Sequence, residues 1–91
     1  MVAIQGLDKL TRQLDEAGKA AKALDGDLTT VNFDPSSTAS VNEAVRQMER
    51  AIDQKVSRWR GNPLVDELVK TTKTAMREQI KAKAREARRE N

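Results

Sequence analysis

The stretch Trp59-Arg60-Gly61-Asn62-Pro63-Leu64-Val65-Asp66-Glu67 carries the signals that end one helix and begin the next. Gly61 is the natural stop, because glycine adopts a left-handed backbone without steric cost. Asn62 can cap the following helix, and Pro63 suits its first position, where the missing N–H is not needed. Asp66 and Glu67 in the first turn suit the positive end of the helix dipole. The stretch therefore predicts two helices joined as an antiparallel hairpin.

Apolar residues recur at helical spacing on both sides of this turn. Before it, Ser40-Val41-Asn42-Glu43 has the form of a capping box, so a helix is predicted over residues 40–60. After it, a long helix is predicted over residues 62–89. Each helix has one apolar face that can pack against the other. These faces comprise Val41, Ala44, Val45, Met48, Ala51, Ile52, Val56 and Trp59 in the first, and Leu64, Val65, Leu68, Val69, Ala75, Met76 and Ile80 in the second.

A third helix is predicted at the N-terminus, over residues 1–25. Asp25-Gly26-Asp27 ends it with residues that break helices. Its apolar stripe either packs onto the hairpin or forms a short coiled-coil seam, and the sequence leaves both readings open. The stripe consists of Leu7, Leu10, Leu14, Ala17, Ala21 and Leu24.

Residues 26–39 link this helix to the hairpin. Leu28–Phe33 is rich in β-branched residues and alternates, so it predicts a short extended segment, and Pro35 favours a turn after it. A lone strand needs a partner, so the segment either pairs with its copy in a second chain or lies as a strap over the helices. The predicted fold is a single all-α domain over residues 1–91, with one extended link and a long helical hairpin.

The composition disfavours whole classes of function. The chain contains no Cys and no His, which removes disulfides, Cys-based metal sites and the usual general base. It has no P-loop, dinucleotide fingerprint or EF-hand loop. Met1–Gly6 lacks the pattern of a signal peptide, and no apolar run approaches the roughly 20 residues that span a bilayer. We therefore expect a non-enzymatic protein without catalytic residues, metal, cofactor, small-molecule substrate or membrane contact.

Size and helix length together predict a homo-oligomer, most simply a dimer. A chain of 91 residues with a hydrophobic fraction of 37% has a thin core, and self-association is a common remedy. The third helix would span roughly 40 Å, whereas a compact domain of this size is only about 30 Å across. Another chain could cover the overrunning end.

A basic strip follows the third helix opposite its apolar face, within an arc of about 160°. Five of its cations follow one another at i,i+4 spacing, although each like-charge step costs a few tenths of a kcal/mol. These five are Lys73, Arg77, Lys81, Arg85 and Arg89. The strip is either a solvated face whose cations suit the helix C-terminus, or a contact surface for nucleic acid or an acidic protein. No aromatic residue lies among the cations, so phosphate contact is favoured over base stacking. The strip comprises Lys70, Lys73, Arg77, Lys81, Arg85, Arg88 and Arg89.

Phe33 and Trp59 are the two aromatic residues of the chain and are candidate interface residues. Trp59-Arg60-Gly61 at a turn between helices resembles the secreted helical hairpins of type VII systems. The Tyr-containing C-terminal signal of that family is missing, since the chain has no Tyr. The alternative is that Trp59 caps the hydrophobic core.

A second resemblance covers most of the chain. Gly6-Leu7-Asp8-Lys9-Leu10, with Leu14 and Gly18, is similar to the start of small neck and tail-completion proteins of tailed phages. Val31–Pro35, Ala51–Val56 and Asn62–Val65 resemble short prophage proteins encoded among virion genes. The resemblance implies a structural or assembly protein of a phage or prophage, with other phage structural proteins as partners. It also implies location in the host cytoplasm during assembly, or in the virion.

Overall fold

The computed structural model describes the backbone of residues 2–25 and 32–90, and the side chains of residues 6–25 and 32–89. Three helices make up the fold: α1 (Val2–Asp25), α2 (Thr38–Lys55) and α3 (Pro63–Glu90), with a short 3-10 helix at Ser57–Trp59. The described residues contain no strand, so the all-α prediction is confirmed. Most of the predicted extended segment Leu28–Phe33 lies outside the described residues, and its pairing stays a prediction.

The turn between α2 and α3 uses the residues that the sequence singled out. Gly61 has a φ of 98°, the left-handed region in which glycine carries no steric penalty. The Oδ1 atom of Asn62 accepts a hydrogen bond from the main-chain N–H of Leu64 at 2.9 Å, which caps α3. The preceding helix is shorter than predicted, because α2 ends at Lys55 and the chain tightens into the 3-10 helix before Gly61.

The start of α2 differs from the predicted capping box. Ser37 is the N-cap, and its Oγ accepts a hydrogen bond from the main-chain N–H of Ser40 at 3.2 Å. The hydroxyl of Ser40 is used otherwise, accepting from the main-chain N–H of Asp34 at 2.8 Å. Because Ser37 caps the helix first, α2 begins at Thr38 and Ser40 lies inside its first turn.

Helices α2 and α3 pack as the predicted antiparallel hairpin, and the same pairing register (stagger) holds along its whole length. Lys73 lies beside Asp53, Arg77 beside Glu49 and Arg88 beside Thr38, so contacts move up one helix as they move down the other. The apolar faces meet between the helices, with Ile52, Val56 and Val65 fully buried. The other buried apolar residues are Ala20, Leu24, Val41, Ala44, Met48, Val69, Ile80 and Ala84.

Helix α1 runs parallel to α3 and projects beyond the hairpin turn. Gln13 and Glu16 meet Asn62 at the start of α3, while Ala20 and Leu24 are buried further along the hairpin. The half of α1 that precedes Gln13 therefore extends past the turn. The molecule measures 65 × 19 × 18 Å, longer than the roughly 42 Å of α3 alone.

The expectation that the third helix overruns the body is wrong. Arg88, near the end of α3, still donates a hydrogen bond to the hydroxyl of Thr38 at 3.3 Å, so α2 accompanies α3 almost to its end. Ala84 is 5% exposed, which shows that small side chains suffice to bury this region. The part of the structure that extends beyond the hairpin is the first half of α1.

Candidate interaction surfaces

The first half of the basic strip is neutralised by α2. The Nζ atom of Lys73 lies 2.8 Å from Oδ1 of Asp53, and Nη2 of Arg77 lies 3.1 Å from Oε2 of Glu49. The two acids are four residues apart, as are the two cations, so the antiparallel packing brings each pair together. These two predicted contact residues therefore bridge the hairpin helices.

The second half of the strip has no such neutralisation. Continuing the same stagger, Lys81 lies opposite Val45 and Arg85 opposite Val41, where α2 offers no carboxylate. Lys81, Arg85 and Arg89 are exposed and make no ion pair within the described residues, and Arg88 bonds only to the Thr38 hydroxyl. We call this surface the basic end; it comprises Lys81, Arg85, Arg88 and Arg89, and three of these line a shallow groove with Val41 and Ala84.

Lys70 belongs to neither half. It lines a shallow depression on the outer side of α3, between Glu67 and Glu78. The predicted strip of seven cations is therefore divided in space into a neutralised pair, an isolated Lys70 and the basic end.

A second cationic surface lies at the hairpin turn, and sequence reasoning missed it. Lys9 and Arg12 of α1 line a shallow cleft together with Arg58, Trp59 and Arg60 of the turn. Arg60 is paired with Asp53 at 3.8 Å and with Asp66 at 3.5 Å, so two carboxylates partly offset its positive charge. The sequence feature that indicates this surface is the pair of arginines on either side of Trp59. Only the docking of α1 brings Lys9 and Arg12 beside them.

Phe33 and Trp59, the candidate interface residues, are both half-buried and packed against the core. The guanidinium carbon of Arg58 lies 5.6 Å from the centre of the Trp59 ring, within the range of a cation–π contact. Trp59 thus covers the open end of the hydrophobic core and presents its remaining surface to the cleft.

An apolar surface remains uncovered on α1. Leu7, Leu10 and Leu14 are 60%, 47% and 57% exposed, and with Leu64 they are the exposed large apolar side chains among the described residues. The predicted stripe is therefore split: Ala17 and Leu24 pack on the hairpin, while the three leucines and Ala21 do not. Ala20, which the stripe did not include, is fully buried. At about 100° per residue the leucines lie roughly a quarter-turn around the helix from the packed residues. We call Leu7, Leu10 and Leu14 the leucine face.

The described residues contain no cluster of metal-ligating side chains, and none of their helices is long and apolar enough to cross a membrane.

Two carboxyl groups have altered acidity. Hydrogen bonds from the Ser36 hydroxyl and main-chain N–H lower the pKa of Asp34. A hydrogen bond from Arg46 lowers the pKa of Glu43, assisted by the charge of Arg46 and Arg50. Asp34 is exposed and Glu43 is half-buried, and their hydrogen bonds stabilise the turn before α2 and the first half of α2, respectively.

Comparison with known proteins finds one family whose model, described as YuaX, matches residues 4–91. The chain is 34% identical over 90 residues to a protein of Escherichia coli (strain K12) named "Uncharacterized protein YuaX". The aligned region covers 99% of this chain and 93% of that protein. No solved structure matches the chain.

Proposed function

Because this chain belongs to the YuaX family, we propose its function from its own surfaces and sequence: it is a non-enzymatic structural or assembly protein of a phage or prophage virion. It acts through protein–protein contacts, in the host cytoplasm during assembly or as a virion component. The phage assignment rests on the sequence resemblances of the N-terminal helix and the hairpin. The mode of action rests on the leucine face.

The exposed leucines are the observation that carries the protein-contact role. Scattered apolar residues are normal on a surface, but three leucines about one turn apart on an overhanging helix form one continuous patch. Leaving them in water forgoes burial that is worth about 25 cal/mol per Å². A partner that covers them would recover this free energy and would also hold the overhanging half of α1 in place.

Deletion of the gene in its source strain tests the assembly role. After induction of resident phages, we expect fewer complete particles by electron microscopy, with restoration by a plasmid-borne copy. The triple variant Leu7→Ser, Leu10→Ser, Leu14→Ser should not restore particles. The matched control Asp8→Ser, Asp15→Ser, Lys22→Ser, on the charged side of the same helix, should restore them. Normal particles after deletion would remove the assembly role.

The alternative function is nucleic-acid binding through the basic end. The observation that favours it is the lack of ion pairs at Lys81, Arg85 and Arg89 within the described part of the chain. Such contact would be sequence-independent and steeply salt-dependent, with a log–log slope of about −0.9 for each phosphate neutralised. Four contacts would give a slope of about −3.6.

Titration of duplex DNA at several salt concentrations decides this alternative. Lys81→Gln with Arg85→Gln should flatten the slope by about two contacts. Lys73→Gln with Arg77→Gln removes the same charge where α2 already neutralises it, and should leave the slope nearly unchanged. No binding by the wild-type chain at low salt and high micromolar concentration would exclude the nucleic-acid function.

A further inference from the structure

The leucine face has the form of a self-pairing surface, and we propose that α1 packs antiparallel against α1 of a second copy of this chain. This inference rests on the proposed function, because it names the partner that covers the leucine face. In the pair, the overhanging half of each α1 lies along the docked half of the other. The two hairpins then point away from each other.

The composition of α1 around the leucine face favours a helix as the partner. At about 100° per residue, Leu7, Leu10, Leu14 and Ala21 fall in one arc, whose only charged residue is Asp25 at the last position of α1. Gly6 and Gly18 border this arc on its two sides. A Cβ atom built on either glycine would meet nothing within 4 Å, so no packing within the described chain explains them. Each interior glycine costs about 1 kcal/mol relative to alanine, and the close approach of a second helix accounts for their presence.

The overhang itself calls for a partner. About ten residues of α1 precede the contact between Gln13 and Asn62. Among their described side chains, Lys9 and Arg12 line the cleft at the turn, while Leu7 and Leu10 stay exposed. Isolated helices shorter than about 12–15 residues are marginal in water. An overhang of this length would fray unless another surface packs on it.

The position of the hairpin turn sets the register of the pair. The turn contacts α1 at Arg12 and Gln13. A two-fold axis that crosses the leucine face at the level of Arg12 along α1 therefore places the two hairpins end to end without overlap. In this register Leu10 of one copy meets Leu14 of the other, and Leu7 meets the part of Ala17 that the hairpin leaves exposed. Leucines therefore meet at the centre, and a large side chain meets a small one towards each end.

Charge favours the antiparallel sense over the parallel one. A parallel pair would place both hairpins on the same side of the overhang and bring the two basic ends towards each other. An antiparallel pair puts the basic ends at opposite extremes of an elongated particle. Since each chain carries a net charge of +3, with its cations concentrated near the end of α3, the antiparallel pair has the lower repulsion.

Disulfide trapping tests both partner and orientation, and the chain has no native cysteine to interfere. Leu7→Cys chains are mixed with Ala17→Cys chains that carry a distinguishing tag, under mild oxidation. The mixture should give a covalent dimer of one chain of each kind. Each variant alone should form no covalent dimer, because like positions in the pair are about 15 Å apart along the axis, beyond the ~7 Å reach of a disulfide.

A matched control separates specific pairing from collision. The control mixes Asp8→Cys chains with Glu16→Cys chains. These two positions are at matching levels in the same register but lie on the charged side of α1, so they should not cross-link. Cross-linking of Leu7→Cys by itself would show a parallel pair and overturn the inference. Equal cross-linking of the control mixture would overturn it as well.

Sedimentation at tens of micromolar gives an independent reading. The wild-type chain should have twice the 10.1 kDa mass of one chain, and Leu10→Lys should abolish the dimer with helicity of the hairpin retained. A wild-type monomer would overturn the inference, while loss of particles on gene deletion would still support the assembly role. A trapped dimer without any deletion phenotype would support the antiparallel pair and remove the assembly role.

Discussion

Asn62 donates a hydrogen bond from its side-chain amide to the main-chain oxygen of Gln13, at 3.1 Å across a separation of 49 residues. The same Nδ2 atom lies 2.9 Å from Oε1 of Glu16, while Oδ1 caps α3. Asn62 is 7% exposed and is the one buried polar residue among those described. One amide group therefore begins α3 and fixes α1 to the turn.

Substitutions of Asn62 should separate these two roles. Asn62→Ala should lower the free energy of unfolding by about 2 kcal/mol, roughly half from the lost cap and half from the lost bridge to α1. Asn62→Ser keeps a capping oxygen and should lose only about 1 kcal/mol. Urea unfolding followed by circular dichroism measures both. Equal stability of Asn62→Ser and wild type would show that the bridge contributes nothing.

The two halves of the basic strip should respond differently to neutralisation. Arg77→Gln removes the pair with Glu49 and should cost about 0.5 kcal/mol, since both groups are partly exposed. Arg85→Gln removes like-charge repulsion without removing a pair, and should be neutral or stabilising by a few tenths of a kcal/mol. A double-mutant cycle with Glu49→Gln isolates the pair energy. A larger cost at Arg85 than at Arg77 would contradict the assignment.

Glycine substitutions at the turn and in α1 should have opposite signs. Gly61→Ala places a side chain at a φ of 98° and should destabilise the chain by about 1–2 kcal/mol. Gly18→Ala meets open space and should stabilise α1 by up to about 1 kcal/mol in dilute solution, where the chain is monomeric. Thermal unfolding of the two variants at low concentration is the measurement. Destabilisation by Gly18→Ala under these conditions would mean that the helix is packed there within one chain.

The carboxyl group of Asp34 should titrate below its ordinary pKa. Because the folded-state pKa is depressed, its contribution to stability is present above the unfolded pKa, about 3.9, and is lost as pH falls through the folded pKa. Ser36→Ala removes the hydroxyl donor and should raise the pKa of Asp34 towards its ordinary value. Carbon-detected NMR titration reads this directly. The pKa of Glu43, which depends on Arg46, should stay unchanged and serves as the control.

The hairpin turn was predictable because its chemistry is local. Gly61, Asn62 and Pro63 act on backbone geometry within a few residues, and no distant contact is needed to read them. The start of α2 was harder, since Ser37 and Ser40 are both good caps, and the choice depends on the hydrogen bond from Asp34 to Ser40.

The surfaces were predicted less well, because they depend on how helices dock. The periodicity of α1 shows an apolar side but not which part of it packs, and the fully buried Ala20 lies outside the predicted stripe. For the basic strip, the matching spacing of Asp53 and Glu49 with Lys73 and Arg77 was present in the sequence. Only the stagger of the hairpin shows which cations it neutralises.

The distance along the chain between Asn62 and Gln13 also bears on the order of folding. The α2–α3 hairpin closes across a turn of a few residues, whereas docking α1 closes a loop of 49 residues, and the entropy cost of closure rises with the logarithm of loop length. Contacts that are local in sequence form early. The hairpin should therefore form first and α1 should dock last, so amide hydrogens of α1 would exchange with solvent through partial openings that leave the hairpin intact.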